Sequence, residues 1–204
     1  MTLLVGIPYA EDFNLGAAHN QFFDRLREDD WGCVVDHDVM FTTKDWYRQL
    51  IAAIQQEPEG CFSGVTNRIK CPFQIVEDGA HMKDHDMTSN RARGAKLLAQ
   101  YGSDLLDVTD EIRTPSGFLM CLSKKAWRDM GGFPNGYHLM DKRTWQALRL
   151  VGRRLYILRG LYLYHWHRGG GPQAEEIAPD APWTLQHTLP DGRVIGSTKP
   201  GTFA

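Results

Sequence analysis

The sequence lacks any apolar run that approaches the ~20 residues needed to span a bilayer. Its start, Met1–Val5, enters a strand-like run without the basic region and small-residue cleavage site of a secretory signal. We therefore expect no membrane span and a cytoplasmic location. A strong net charge is also missing, because 23 Lys and Arg residues stand against 25 Asp and Glu. The balance of −2 gives no global electrostatic argument for binding nucleic acid or a membrane surface.

Cysteine is scarce, and its spacing excludes common uses of the residue. No two cysteines form a Cys-X-X-Cys pair, and most lie within apolar runs. Buried thiols of a reducing compartment therefore explain them better than disulfides or a zinc site do. The four residues are Cys33, Cys61, Cys71 and Cys121.

The length and composition are those of an ordinary globular protein with one core. The chain has 204 residues, of which 42% are hydrophobic and 24% charged. We predict one domain over residues 1–172 and a C-terminal tail or lid over 173–204. Within that tail, Pro190-Asp191-Gly192 is expected to join Leu185–Leu189 and Arg193–Ile195 in a hairpin outside the core.

Apolar runs alternate with amphipathic stretches, which predicts an α/β fold with a mixed, mostly parallel sheet flanked by helices. The run Leu3–Ile7 is expected to be a central strand buried on both faces. Two separate strands are expected at Leu155–Leu158 and Leu161–Tyr164.

Helix boundaries are predicted from hydrophobic periodicity and from capping residues. Thr42 and Thr43 are expected to cap a helix that ends before Pro58, and Ser123 is expected to cap another. Further helices are expected over residues 16–27, 90–101, 124–130 and 140–151.

The stretch Val34-Val35-Asp36-His37-Asp38 carries the clearest chemical signal. It resembles a strand that ends in two carboxylates, at the end of the strand where α/β sheets bind ligands. Carboxylates at this spacing suit Mg²⁺ or Mn²⁺, which completes its shell with substrate phosphates. An Asp-rich turn is the alternative for an isolated Asp-X-Asp. The hypothesis of a metal and diphosphate site therefore depends on its context.

A second polar string, Glu77–Asp86, is interpreted as a long loop. Its His81, Asp84, His85 and Asp86 are potential metal ligands, but short motifs of this kind are weak evidence. We favour a solvated loop over a metal site.

Three segments give the Asp-X-Asp its context. Asn14–Asn20 has the pattern Asn-X-Gly-X-X-X-Asn, Asp36–Asp38 follows it, and Gly117–Pro134 runs from an apolar strand to a Gly-Gly-Phe turn. Over roughly residues 3–170 this order and spacing resemble glycosyltransferases of the GT-A fold, most closely family 2, with some likeness to the galactosyltransferase branch. The resemblance implies a single GT-A, Rossmann-like catalytic domain. It also implies transfer of a sugar, with inversion, from a nucleotide diphosphate donor to an acceptor hydroxyl, with a UDP-sugar as the first choice.

The resemblance implies roles for individual residues. Asp141 would deprotonate the acceptor, although Met140 stands where the family has a glutamate. The implied metal ligands, for Mn²⁺ or Mg²⁺ as cofactor, are Asp36, Asp38, His165 and His167. The implied donor-binding residues are Pro8, Tyr9, Glu11, Asn14, Gly16, Asn20, Asp36 and Arg168. The interval between the first strand and Asn14 is shorter than in the family, so the nucleotide-binding half is expected to be reduced.

Two functions of other classes use the same residues. A metal-dependent phosphoesterase would activate water at the metal. A non-catalytic module that binds a nucleotide sugar or a glycan would explain the missing glutamate and the reduced nucleotide half. The acceptor stays open among a glycan, a protein and a modified nucleic-acid base, the last because of the cationic run Lys142–Arg159.

Overall fold

The computed structural model describes residues 1–76, 80, 82–137, 139–166 and 186–196. These residues form one seven-stranded sheet, one two-stranded hairpin and five α-helices. The strands are β1 (Leu3–Gly6), β2 (Trp31–Val35), β3 (Val39–Phe41), β4 (Gly60–Thr66), β5 (Leu105–Asp107), β6 (Leu119–Ser123), β7 (Arg154–His165), β8 (Gln186–Thr188) and β9 (Val194–Gly196). The helices are α1 (Leu15–Asp24), α2 (Trp46–Gln56), α3 (Met87–Tyr101), α4 (Lys124–Asp129) and α5 (Met140–Leu150), with a 3₁₀ turn at Pro72–Gln74.

The large sheet is mixed, as expected, and helices flank it. Its strand order is β1-β2-β6-β4-β7-β3, and β5 pairs with β7 beside this path. The parallel pairings are β1–β2 and β4–β7. The other four pairings between described strands of this sheet are antiparallel. The α/β class is therefore confirmed, but parallel pairing does not dominate the sheet, because β3, β5 and β6 run against the other four strands.

This topology brings several loops together at one edge of the sheet. Strands β1, β2, β4 and β7 all end at that edge, and β3 and β6 begin there. We call it the carboxyl edge. It is where α/β sheets usually bind ligands, and both aspartates of the Asp-X-Asp follow β2 there.

The prediction that the first strand is central and buried on both faces is wrong. Among the described strands β1 pairs with β2 alone, so it lies at the side of the sheet. Leu4 is 40% exposed and Val5 is 37% exposed. The physical reason is the short connection from β1 to β2, which contains α1 but no strand to cover the outer side of β1.

The two strands expected between residues 155 and 164 form one strand, β7. It pairs with β4 along its length, with β5 in its first half and with β3 in its second. Gly160 lies in the middle, where a Cβ atom would come within 2.1 Å of the Gly102 carbonyl oxygen. The absence of a side chain at Gly160 thus allows the chain to pass close to Gly102 without ending the strand.

Helices α2 and α3 begin at residues other than those predicted, because different side chains lie at their N-termini. The cap of α2 is Asp45, whereas the Thr42 hydroxyl donates a buried hydrogen bond to the Tyr162 carbonyl at 2.6 Å. Helix α3 begins three residues earlier than expected, because the Asp86 carboxylate accepts from the N–H groups of Thr88 and Ser89.

The predicted cap of α4 is confirmed. The Ser123 hydroxyl oxygen accepts from the Ala126 N–H at 3.0 Å. None of the described helices has the length and apolar character to cross a membrane.

Two hydrophobic clusters lie on opposite faces of the sheet. Met120 and Leu122 point into the cluster beneath α1, α4 and α5, whereas Leu119 and Cys121 point into the cluster beneath α2. All four cysteines are buried free thiols, in agreement with the sequence prediction.

The predicted hairpin is present as β8 and β9, but it is not outside the core. Leu189 and Ile195 are buried members of the cluster that also contains Trp145 of α5. The His187 ring nitrogen Nε2 lies 2.7 Å from the Met130 carbonyl oxygen. This part of the predicted tail therefore contributes to the core. The rest of residues 173–204 lies outside the described residues.

Candidate metal and catalytic site

The turn between β2 and β3 presents the two aspartates of the Asp-X-Asp. The Asp36 N–H donates to the Phe118 carbonyl at 3.0 Å, and the Val39 N–H donates to the Asp36 carbonyl at 3.2 Å. The Asp38 carbonyl accepts from the Trp166 N–H at 2.9 Å. Backbone bonds to the residue just before β6 and to the residue just after β7 therefore fix the turn at the carboxyl edge.

His165, the last residue of β7, completes a three-residue cluster with these aspartates. Its Nε2 lies 3.3 Å from Asp38 Oδ1. One potential ligand atom from each of Asp36, Asp38 and His165 lies within 4.8 Å of the others. In the described part of the chain, this is the only group of three or more such residues close enough to hold a metal ion. Two carboxylate oxygens and one imidazole nitrogen suit Mn²⁺ or a similar divalent cation.

Two neighbours hold His165 in place. The Phe118 ring stacks on the imidazole, with ring centroids 5.9 Å apart and 27° between the planes. The Asn67 side-chain oxygen accepts from the His165 backbone N–H at 2.8 Å. Asn67 directly follows β4 and is 1% exposed. Both the ring and the backbone of His165 are therefore positioned by buried groups.

Asp141, the candidate base, lies in the first turn of α5. Its Oδ2 accepts from the Gly117 N–H at 3.1 Å, and its Oδ1 accepts from the Lys142 N–H at 2.7 Å. A Cβ atom at position 117 would lie 2.5 Å from the Asp141 Cβ. The glycine thus allows α5 to approach the chain that enters β6, which brings Asp141 into electrostatic range of Asp36.

The carboxylates at this edge repel one another electrostatically. The pKa of Asp36 is raised to about 7, chiefly by burial; His165 opposes the shift, and the charges of Asp38 and Asp141 add to it. The hydrogen bond from His165 instead holds the pKa of Asp38 below its usual range. Three carboxylates around a partly buried position carry excess negative charge, which a divalent cation would offset.

Tyr137 also faces this group of carboxylates. Burial raises the pKa of its phenol, and so do the charges of Asp36, Asp38 and Asp141. The residue is 50% exposed and ends the turn that leads towards α5. An aromatic ring exposed beside the cluster is suited to contact a sugar or a base.

The Asn-X-Gly-X-X-X-Asn segment fastens α1 to the turn at residues 131–137. The Asn14 side-chain oxygen accepts from the N–H groups of Ala17 and Gly136, at 3.1 and 2.8 Å. The Gly16 N–H donates to the Gly136 carbonyl, and a Cβ atom at Gly16 would lie 1.8 Å from the Pro134 carbonyl oxygen. The spacing of this segment therefore reflects close packing of two backbones.

Asn20 makes the same kind of contact one helical turn later. Its side-chain oxygen accepts from the Phe133 N–H at 2.7 Å and from Trp127 Nε1 at 2.8 Å, while its amide nitrogen donates to the Phe133 carbonyl at 3.0 Å. The polar side-chain atoms of Asn20 are thus used within the protein. The structure therefore shows a structural role for Asn14, Gly16 and Asn20, and their assignment to donor binding stays a prediction.

Three other predicted donor-binding residues lie in the loop after β1. Pro8, Tyr9 and Glu11 follow β1 at the carboxyl edge, and Tyr9 is 81% exposed. His167 and Arg168 lie outside the described residues, and of the two predicted histidine ligands His165 is the one that the structure describes.

The described residues of the second polar string make structural contacts, which the interpretation as a solvated loop did not predict. The Asp84 carboxylate accepts from Ser89 and pairs with Arg93 at 3.2 Å, Asp86 caps α3, and His85 Nδ1 lies 2.6 Å from the Tyr164 hydroxyl. His81 lies outside the described residues.

The sequence argument passed over Asn67, Phe118 and Tyr137. A usable signal existed for Asn67, because a polar residue directly after a strand is placed at the carboxyl edge by the same rule that selected Asp36. Phe118 gave no such signal, since it belongs to an apolar run like any core residue.

Comparison with known proteins adds no assignment. No family model matches the chain, and no curated protein resembles it significantly.

Proposed function

We propose that the protein is a metal-dependent glycosyltransferase, which moves a sugar from a nucleoside diphosphate donor, first of all a UDP-sugar, to an acceptor hydroxyl. The observation that carries this proposal is the convergence of Asp36, Asp38 and His165 within 4.8 Å at the carboxyl edge, with Asp141 in electrostatic range. The resemblance of the sequence to GT-A enzymes, which also includes Asn14–Asn20 and Gly117–Pro134, supports it further.

The cluster supplies the donor side of the reaction. Asp36, Asp38 and His165 would hold Mn²⁺ or Mg²⁺, and the bound cation would offset the charge that develops on the departing diphosphate. Their two carboxylates alone repel a diphosphate, so donor binding is expected to require the cation. The exposed residues after β1, Tyr9 and Glu11, lie at the same edge and are the proposed contacts for the base and ribose.

Asp141 supplies the acceptor side. Its backbone hydrogen bonds from Gly117 and Lys142 hold the carboxylate in one orientation, as a general base requires. It would take the proton of the acceptor hydroxyl as that oxygen attacks the anomeric carbon and the bond from this carbon to the diphosphate breaks. A single displacement of this kind inverts the configuration at the anomeric carbon.

A thermal-shift screen tests the donor half of the proposal. We expect nucleoside diphosphates to raise the Tm in the presence of Mn²⁺ and to have little effect in EDTA, because ligands that bind the native state stabilise it by mass action. His165→Ala should abolish the shift. His37→Ala is the matched control, since His37 is an exposed histidine between the two aspartates and lies outside the cluster. Equal shifts with and without Mn²⁺ would contradict the proposal.

A further inference from the structure

Asn67 has an unusual set of contacts for a buried side chain. Its oxygen accepts from the His165 N–H at 2.8 Å and lies 3.2 Å from the Thr66 hydroxyl. Its amide nitrogen Nδ2 is buried and has no hydrogen-bond partner within the described structure. Because the His165 N–H is a donor, the oxygen of the amide must face it, so exchanging the two amide atoms would not relieve the buried nitrogen.

A buried donor without an acceptor is costly, so its retention calls for a reason. An aspartate at position 67 would accept the same two hydrogen bonds and leave no N–H group unsatisfied. It would also place a fourth carboxylate next to His165, whose ring already faces Asp38 at 3.3 Å and lies in a cluster with Asp36. A neutral amide gives the oxygen without the charge.

We propose that Asn67 is a positioning residue for the metal ligand His165. Its oxygen fixes the backbone of the last residue of β7, while the Phe118 ring fixes the imidazole plane. The two contacts together orient Nε2 towards the aspartates. This inference rests on the metal site of the proposed function. It adds Asn67, which follows β4, to a site whose other residues come from the ends of β2 and β7.

Removing a group that hydrogen-bonds to a metal ligand commonly changes the metal affinity by 10- to 100-fold. We therefore expect Asn67→Ala to raise the Kd for Mn²⁺ by about that factor. Asn67→Asp keeps an oxygen for the His165 N–H and adds negative charge, so its Mn²⁺ affinity should equal or exceed that of the wild type. A merely structural role for Asn67 would not separate the two variants in this way.

The measurement is titration of Mn²⁺ without any nucleotide, followed by the electron paramagnetic resonance signal of free Mn²⁺. Far-UV circular dichroism establishes that each variant is folded. Asn90→Ala is the matched control, because Asn90 is a fully buried asparagine in the Arg93 and Tyr162 network and not in the cluster. It should lower the Tm and leave the Kd for Mn²⁺ unchanged.

The possible outcomes separate this inference from the proposed function. A folded Asn67→Ala protein with the wild-type Kd overturns the inference alone. If Asn67→Ala does not fold, Asn67→Asp becomes the test. A Kd for Mn²⁺ at least tenfold above the wild-type value in that variant overturns the inference. Absence of Mn²⁺ binding by the wild type overturns the metal site, and the proposed function and this inference with it.

Discussion

Replacement of Asp36 by asparagine should stabilise the metal-free protein at alkaline pH. The pKa of Asp36 is raised from 3.8 to about 7 in the folded state, so between these values the folded protein binds more protons than the unfolded chain. The free energy of unfolding therefore falls as the pH rises through this window. For these two values, the loss from this residue between pH 5 and pH 8 is about 2.5 kcal/mol.

Asparagine has nearly the same shape and no charge, and it keeps the backbone hydrogen bond from residue 36 to the Phe118 carbonyl. In EDTA, the stability of Asp36→Asn relative to the wild type should therefore increase by about 2.5 kcal/mol from pH 5 to pH 8. The assay is urea denaturation at both pH values. With Mn²⁺ added at pH 8, the wild type should gain stability and the variant should gain much less.

Asp38 provides a control of opposite sign in the same site. The His165 hydrogen bond holds its pKa below the usual range, so its ionised form stabilises the fold at neutral pH and that stability is lost in acid. Asp38→Asn should accordingly lose stability relative to the wild type at pH 8. The reasoning is refuted if Asp36→Asn shows no relative gain at pH 8, or if both variants change in the same direction.

Three further predictions concern packing and catalysis. Gly16→Ala places a Cβ atom against the Pro134 carbonyl oxygen and should cost about 2–3 kcal/mol in urea denaturation; an unchanged midpoint would show that the two backbones are not held together there. Asn20→Ala leaves the Phe133 N–H without its acceptor and should cost about 1–3 kcal/mol, with the Kd for Mn²⁺ unchanged; full stability would show that the Phe133 contact does not hold α1 in place. Asp141→Asn should lower kcat by ~10²–10⁴ in a transfer assay while Mn²⁺ binding persists, and unaltered transfer would remove it as the base.

The sequence predicted the parts of the fold that depend on local pattern. Alternating apolar and amphipathic stretches located the helices, and the Ser123 cap follows from local chemistry. The hairpin around Asp191-Gly192 was predicted for the same reason, since turn residues act over two or three positions. Its burial against α5 was not predicted, because that depends on distant residues.

Strand placement was the harder problem. An apolar run such as Leu3–Ile7 has the same pattern at the side of a sheet as at its centre, so the exposure of Leu4 and Val5 could not be foreseen. Likewise, Gly160 resembles a break between strands. Only the proximity of Gly102 explains why the strand continues.

For the site, two kinds of signal were needed. The rule that ligands bind at the carboxyl ends of strands selected Asp36 and Asp38, and the resemblance to GT-A enzymes added His165; the structure brings these three residues together. The structural use of the Asn-X-Gly-X-X-X-Asn motif was not predicted: Asn14 and Asn20 hold α1 against the turn at residues 131–137. Hydrogen bonds across more than 100 residues, such as that between Asn20 and Phe133, leave no local trace in a single sequence.

The central claim is tested most directly by incubating the protein with a panel of nucleotide sugars, with Mn²⁺ or with EDTA, and measuring release of nucleoside diphosphate by chromatography. The account predicts Mn²⁺-dependent cleavage of at least one donor between the sugar and the diphosphate, retained in His37→Ala and lost in His165→Ala. Intact sugar nucleotides together with Mn²⁺-dependent hydrolysis of a simple phosphoester such as p-nitrophenyl phosphate would contradict it and identify a phosphoesterase instead.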